Sequence, residues 1–192
     1  MTFLLDATKI TKYNCNSDEL ELMILFWICA AGKNGVTATR CLNNLLSTIY
    51  NDFKNSSPFS LLKWADKNKD LPQLLKGAGI GCYNNKAKSF RELIYSNINL
   101  RTCDISELEL ISGIGPKTSR CFILHSRPNQ KVACLDTHIL KWLRDQGIDA
   151  PKSTPTGKKY LILEKKFLEI AATTKKDVAA LDLEIWNLYR SA

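Results

Sequence analysis

The sequence has little of what would build a metal site or mark an exported protein. Two histidines stand among its 192 residues, and its seven cysteines (15, 29, 41, 82, 103, 121 and 134) form no Cys-x-x-C pair and no Cys/His grouping at zinc spacing. No metal ligand set is expected. The cysteine count is odd, and the start, Met1-Thr2-Phe3-Leu4-Leu5-Asp6, lacks the basic and long apolar regions of a signal peptide. Both features predict free thiols and an intracellular protein of cytoplasm, nucleoid or nucleus, not a secreted one. The longest uncharged apolar run, residues 22–31, is half the roughly 20 residues that a membrane span needs, so it reads as a buried helix and no membrane partner is expected. Repeats of fixed period and low-complexity tracts are absent, and strands are hard to place.

What is present is helical periodicity and an uneven positive charge. Hydrophobic residues make up 45% of the chain, enough to close a core at this length. Apolar positions recur three and four apart in residues 20–31, 36–49, 60–65, 87–94, 105–111, 118–124, 139–143, 158–170 and 178–189. Short separators with turn chemistry divide them, among them Gly32-Lys33-Asn34-Gly35, Ser112 to Pro116 and Arg127-Pro128-Asn129. The expectation is an all-α fold of about nine helices. Lys and Arg outnumber Asp and Glu by 13 to 11 in residues 1–112 but by 14 to 8 in 113–192. The pairs Lys158-Lys159, Lys165-Lys166 and Lys175-Lys176 suit either phosphate neutralisation or solvated helix faces, and charge alone does not choose between them.

The sharpest local signal begins at Asp104, a helix cap with Glu107 three positions on in capping-box order. A helix to about residue 111 is followed by Ser112-Gly113-Ile114-Gly115-Pro116, whose glycines allow a tight hairpin and whose proline suits the first turn of the next helix. Hairpin amides and a helix N-terminus pointing outward together make a phosphate site that needs no base readout, with Gly113, Gly115 and Thr118 as its candidate contacts. With the glycines alone, an ordinary turn between two helices would serve as well.

Leu110-Ile111-Ser112-Gly113-Ile114-Gly115-Pro116-Lys117-Thr118, followed by Cys134-Leu135-Asp136-Thr137-His138-Ile139, resembles the helix-hairpin-helix-GPD superfamily of base-excision DNA glycosylases. That family places a hairpin lysine a little under twenty residues before an Asp-x-His, and here the two lie 19 apart. Gly81-Cys82-Tyr83-Asn84-Asn85-Lys86-Ala87 is similar to its Gly-x-Tyr-Asn-x-Lys-Ala segment, and residues 25–31 resemble its apolar helix before the strand-separating loop. The resemblance implies two helical lobes with a DNA-binding cleft between them. One would span 18–125 and hold the helix-hairpin-helix (104–125); the other would combine 1–17 with 126–192. It also implies a monomer acting on double-stranded DNA that contains a damaged base. The iron–sulfur branch carries four cysteines near the C-terminus; none lies there in this chain, so no cluster and no other cofactor is expected.

In that family Lys117 would be the amine nucleophile and Asp136 the carboxylate across from it. Lys117 sits in a first helical turn, where the positive dipole end should lower its pKa and leave a neutral amine to attack the sugar C1′ and form an imine. A lysine after Gly-x-Gly-Pro could also contact phosphate only, and Asp136 could be an ordinary helix cap as well as a charge stabiliser. Adenine-excising relatives without lyase activity lack the hairpin lysine, which favours a bifunctional glycosylase/AP lyase.

For substrate contacts the resemblance implies Cys121, one turn after Lys117, against a flipped base, and His138 at the phosphate or the Asp. Asp182 and Trp186, spaced as in archaeal-type 8-oxoguanine glycosylases, would read the guanine edge and stack on its ring. The alternatives are a structural histidine, a core tryptophan and a surface aspartate. Lys33 and Asn34 fall in the loop that would fill the gap left by the extruded nucleotide, although the glutamine of the endonuclease III branch is missing there. The expected activity is removal of 8-oxoguanine followed by β-elimination. Set against it are an endonuclease III-like activity on oxidised pyrimidines and a non-catalytic helix-hairpin-helix module that binds nucleic acid.

Overall fold

The computed structural model describes residues 5–55 and 57–190, and its regular elements among them are all helical: a short 3-10 turn (Ala7–Lys9) and ten α-helices. The all-α expectation holds. The described residues divide into two compact units, one of Cys15–Gly115 with residues 5–7, the other of Thr8–Asn14 with residues 116–190.

The first unit holds α1 (Ser17–Ala30), α2 (Gly35–Asp52), α3 (Pro58–Asn68), α4 (Leu71–Gly77), α5 (Tyr83–Tyr95) and α6 (Ile105–Glu109). The apolar run at 22–31 lies almost wholly in α1, which opens with an Asn16/Glu19 capping box and buries its residues from Leu22 to Cys29. A helix so apolar all round must be covered on several sides, and α2, α3 and α5 pack on it. The helix that periodicity missed is α4: seven residues are too few to show a period, and its signal is the Asp70 cap with a proline in the first turn. Lys86 on α5 is buried and donates from Nζ to the carbonyls of Cys29 (2.9 Å) and Ala31 (3.1 Å), closing the C-terminal end of α1. Burial pushes its pKa down from the usual lysine range.

The hairpin after α6 is fixed by α5. Glu92 accepts from both the Ser112 amide (2.6 Å) and the Ser112 hydroxyl (2.8 Å), and these bonds hold its carboxyl below its usual range. The Asp104/Glu107 capping box is present as expected. Gly113 has φ +84°, and a Cβ there would stand 2.4 Å from Ser89 Oγ.

The second unit holds α7 (Pro116–Ser126), α8 (Thr137–Asp145), α9 (Gly157–Thr173) and α10 (Val178–Tyr189), with α10 packed on the other three. Its core joins Leu135, Ile139, Leu140 and Leu143 to Tyr160, Leu163, Phe167, Leu181 and Ile185. α7 is buried from Thr118 to Ser126. The connection after it turns at residues 127–129 and runs to 136 without helix or strand. It brings the Cα atoms of Cys121 and Cys134 to 4.8 Å and joins them in a disulfide, whereas Cys15, Cys29, Cys41, Cys82 and Cys103 stand outside any disulfide. The expectation of free thiols throughout is therefore corrected. An odd count leaves one cysteine over but does not forbid a pair, and this pair forms because the connection reverses the chain, which residue spacing does not display.

No helix among the described residues is long and apolar enough to cross a membrane. Replacing Gly113 by alanine forces a side chain into left-handed backbone and onto Ser89, so Gly113→Ala is expected to lower the melting temperature by about 2–8 °C. Gly115 lacks a positive φ, and a Cβ there meets nothing within 4 Å. Gly115→Ala should therefore leave the transition nearly unmoved in the same calorimetric scan, and equal shifts for the two would refute the hairpin geometry.

Candidate active site

Three of the residues singled out from sequence, Lys117, Asp136 and Asp182, lie near one another in the second unit. Lys117 occupies the first turn of α7, directly after Pro116, and is partly buried. Asp136 caps α8: its Oδ1 accepts from the amides of His138 and Ile139, both at 2.9 Å, while its second oxygen takes no part in the cap. Asp182, on α10, is 4% exposed and so is no surface charge. Burial pushes its pKa up; His125 and the positive charge of Lys117 oppose that rise, and the negative charge of Asp136 adds to it. Asp182 is thus in electrostatic reach of both the Lys117 amine and the Asp136 carboxylate.

Asp182 Oδ2 lies 3.1 Å from His125 Nε2, and His125 Nδ1 lies 2.7 Å from Thr11 Oγ1. A ring protonated on Nε2 satisfies this chain, donating to the carboxylate and accepting from the threonine hydroxyl. Oδ1 of Asp182 is buried and accepts no hydrogen bond from any described residue. A buried acceptor without a donor is costly, and this oxygen carries that cost in the structure. His125 and Thr11 escaped the sequence reading. The signal for His125 was its place eight residues after Lys117 and four after Cys121, on the same face of α7; Thr11 carried none.

Trp186 is one turn beyond Asp182 and partly buried. The His138 ring meets its ring edge-on with centroids 6.1 Å apart, and the Arg190 guanidinium lies 5.1 Å from its centroid. His138 thus joins Trp186 through its ring and Asp136 through its amide. Cys121 also lies on α7 but is fully enclosed, and its sulfur is bonded to Cys134, so it offers no thiol. Thr118 is buried, whereas Gly113 is exposed.

Lys33 and Asn34 belong to the first unit and each has a local partner. Lys33 Nζ donates to the Gly79 carbonyl, and Asn34 caps α2 by accepting from the Val36 and Thr37 amides. Among the described residues no group of three or more His, Cys, Asp or Glu is arranged to hold a metal ion.

A family model described as 8-oxoguanine DNA glycosylase, of the helix-hairpin-helix kind, matches residues 60–176, more than half of the chain. The matched stretch contains Lys117, Cys121, Asp136 and His138 and ends before Asp182 and Trp186. No solved structure matches the chain. With the hairpin, the lysine and the capping aspartate all inside that stretch, the chain belongs to the helix-hairpin-helix family of 8-oxoguanine DNA glycosylases.

Proposed function

We propose that this DNA glycosylase is bifunctional: it excises 8-oxoguanine from double-stranded DNA and then cuts the strand as an AP lyase, acting as a monomer. The observation that carries the reading is that Asp182 lies within electrostatic reach of both Lys117, in the first turn of α7, and Asp136, at the α8 cap, with one Asp182 oxygen buried and unsatisfied. The Lys117 amine, once it has given up its proton, bonds to the sugar C1′ while the N-glycosidic bond breaks, its electron pair leaving with the base, which takes up a proton. The sugar ring then opens to an imine between Nζ and C1′. Loss of a C2′ proton expels the 3′ phosphate by β-elimination. Asp136, through the oxygen outside its cap, stabilises positive charge developing on the sugar and accepts a proton from the amine. An amine and a carboxylate suffice for these steps, and no cofactor is called on.

Asp182 Oδ1 suits the N1–H and N2–H₂ edge of a guanine-type base, with Trp186 against the ring. Phosphates fall to the hairpin amides of Gly113 and Gly115, and to the exposed Lys158, Lys159, Lys165 and Lys166 of α9.

Lys117→Gln is expected to abolish borohydride trapping on lesion-bearing DNA and strand cleavage while retaining lesion binding; undiminished cleavage would assign the chemistry to another amine. Asp136→Asn keeps a residue able to cap α8 and should slow base excision by about 10²–10³-fold with affinity retained.

On a panel of single-lesion duplexes, 8-oxoguanine should be excised far faster than guanine, thymine glycol or uracil. Asp182→Asn, which retains an acceptor for His125, should lower the rate at least about tenfold by giving up a charged acceptor worth about 1.5–3 kcal/mol. Preference for an oxidised pyrimidine, or an unchanged rate in this variant, would overturn the base assignment. Affinity for duplex DNA should fall with salt at a log–log slope of about −0.9 per phosphate neutralised; a flat response would remove the duplex from the proposal.

A further inference from the structure

The segment that delivers Asp136 is buried at residues 133–135 and lies outside any helix or sheet, so most of its backbone polar groups need partners from elsewhere. Two side chains one turn apart on α9 supply most of them. Tyr160 donates from its hydroxyl to the Ala133 carbonyl (2.6 Å) and accepts from the Leu135 amide (3.2 Å). Glu164 Oε1 accepts from the Ala133 amide (2.9 Å). Thr154 donates to the Leu135 carbonyl at 3.0 Å, and the Cys134 carbonyl accepts from the Asp136 amide at 2.7 Å.

The same two α9 side chains also hold the helix of Lys117. Arg120, three residues after the lysine, donates from Nε to Glu164 Oε1 at 2.8 Å, and its guanidinium lies 4.7 Å from the Tyr160 ring centroid. Its Nη1 turns back to the Pro116 carbonyl, just before Lys117, at 3.3 Å. Arg120, Glu164 and Tyr160 are all buried, at 7%, 9% and 1% exposure. A buried ion pair is a weak source of stability compared with apolar packing of the same volume, whereas its directed bonds fix geometry.

We infer that Tyr160 and Glu164 are positioning residues: from one turn of α9 they hold the Lys117 end of α7, through Arg120, and the backbone leading into Asp136, so that amine and carboxylate share a common reference. Neither touches substrate in this role. The inference rests on the proposed roles of Lys117 and Asp136. It requires that loosening either side chain slow the chemical step rather than DNA binding, since displacement of reacting groups by about 1 Å costs up to about a hundredfold in rate.

The test is single-turnover excision and borohydride trapping on an 8-oxoguanine duplex at saturating protein, with amplitude and rate constant recorded separately and duplex Kd measured beside them. Tyr160→Phe removes the hydroxyl and keeps the ring under Arg120. Glu164→Gln keeps an acceptor for Ala133 and gives up the charge facing Arg120. Each should lower the rate constant about ten- to a hundredfold with Kd within about twofold of the parent. Phe167→Leu, in the same helix and core but with an apolar side chain, controls for stability: it should lower the melting temperature and leave the rate constant at the parental value. Parental rate constants in both polar variants, or losses confined to amplitude, would overturn the inference. If the parent protein neither excises nor traps, the reading of Lys117 and Asp136 fails first, and that outcome is distinct from the other two.

Discussion

A stretch of buried backbone without helix or sheet is the constraint around which the second unit is arranged. Residues 133–135 must bring Asp136 to the start of α8, yet every amide and carbonyl they bury costs about 1–3 kcal/mol if left unpaired. Tyr160, Glu164 and Thr154 meet that need, and the Cys121–Cys134 disulfide ties the same stretch to α7. Partners chosen for the backbone of the connection therefore also decide where the aspartate stands relative to the lysine.

The same unit keeps several ionisable groups away from water, and each is answered differently. Arg120 and Glu164 neutralise one another. Asp182 is met by His125 on one oxygen and by no described residue on the other. Asp136 shares itself, one oxygen on the α8 cap and one outside it. An enclosed site can hold such charges only when nearly all are paired, so the unsatisfied oxygen stands out against its neighbours. The first unit carries its buried charge in a structural role instead: Lys86 is spent on the carbonyl end of α1, next to the loop that holds Lys33 and Asn34.

Much of this was legible in the chain because the physics involved is local. The Asp104/Glu107 box, the left-handed Gly113, Pro116 at the start of α7 and the Asp136 cap depend on residues within four positions, and each was found where the sequence put it. The 19-residue spacing of Lys117 from Asp-x-His led to the family by resemblance instead. What the sequence could not display were pairings across long separations. His125 with Asp182, Glu164 with Ala133 and Tyr160 with Leu135 join residues 57, 31 and 25 positions apart, and no periodicity encodes them. The disulfide spans only 13 residues and was still hidden, because the connection had to fold back before its sulfurs could meet. By itself the sequence determined the helices, their caps and the residue types that carry the chemistry. The tertiary structure alone decided which of those residues face one another, because burial and the demand for partners act on neighbours in space and not along the chain.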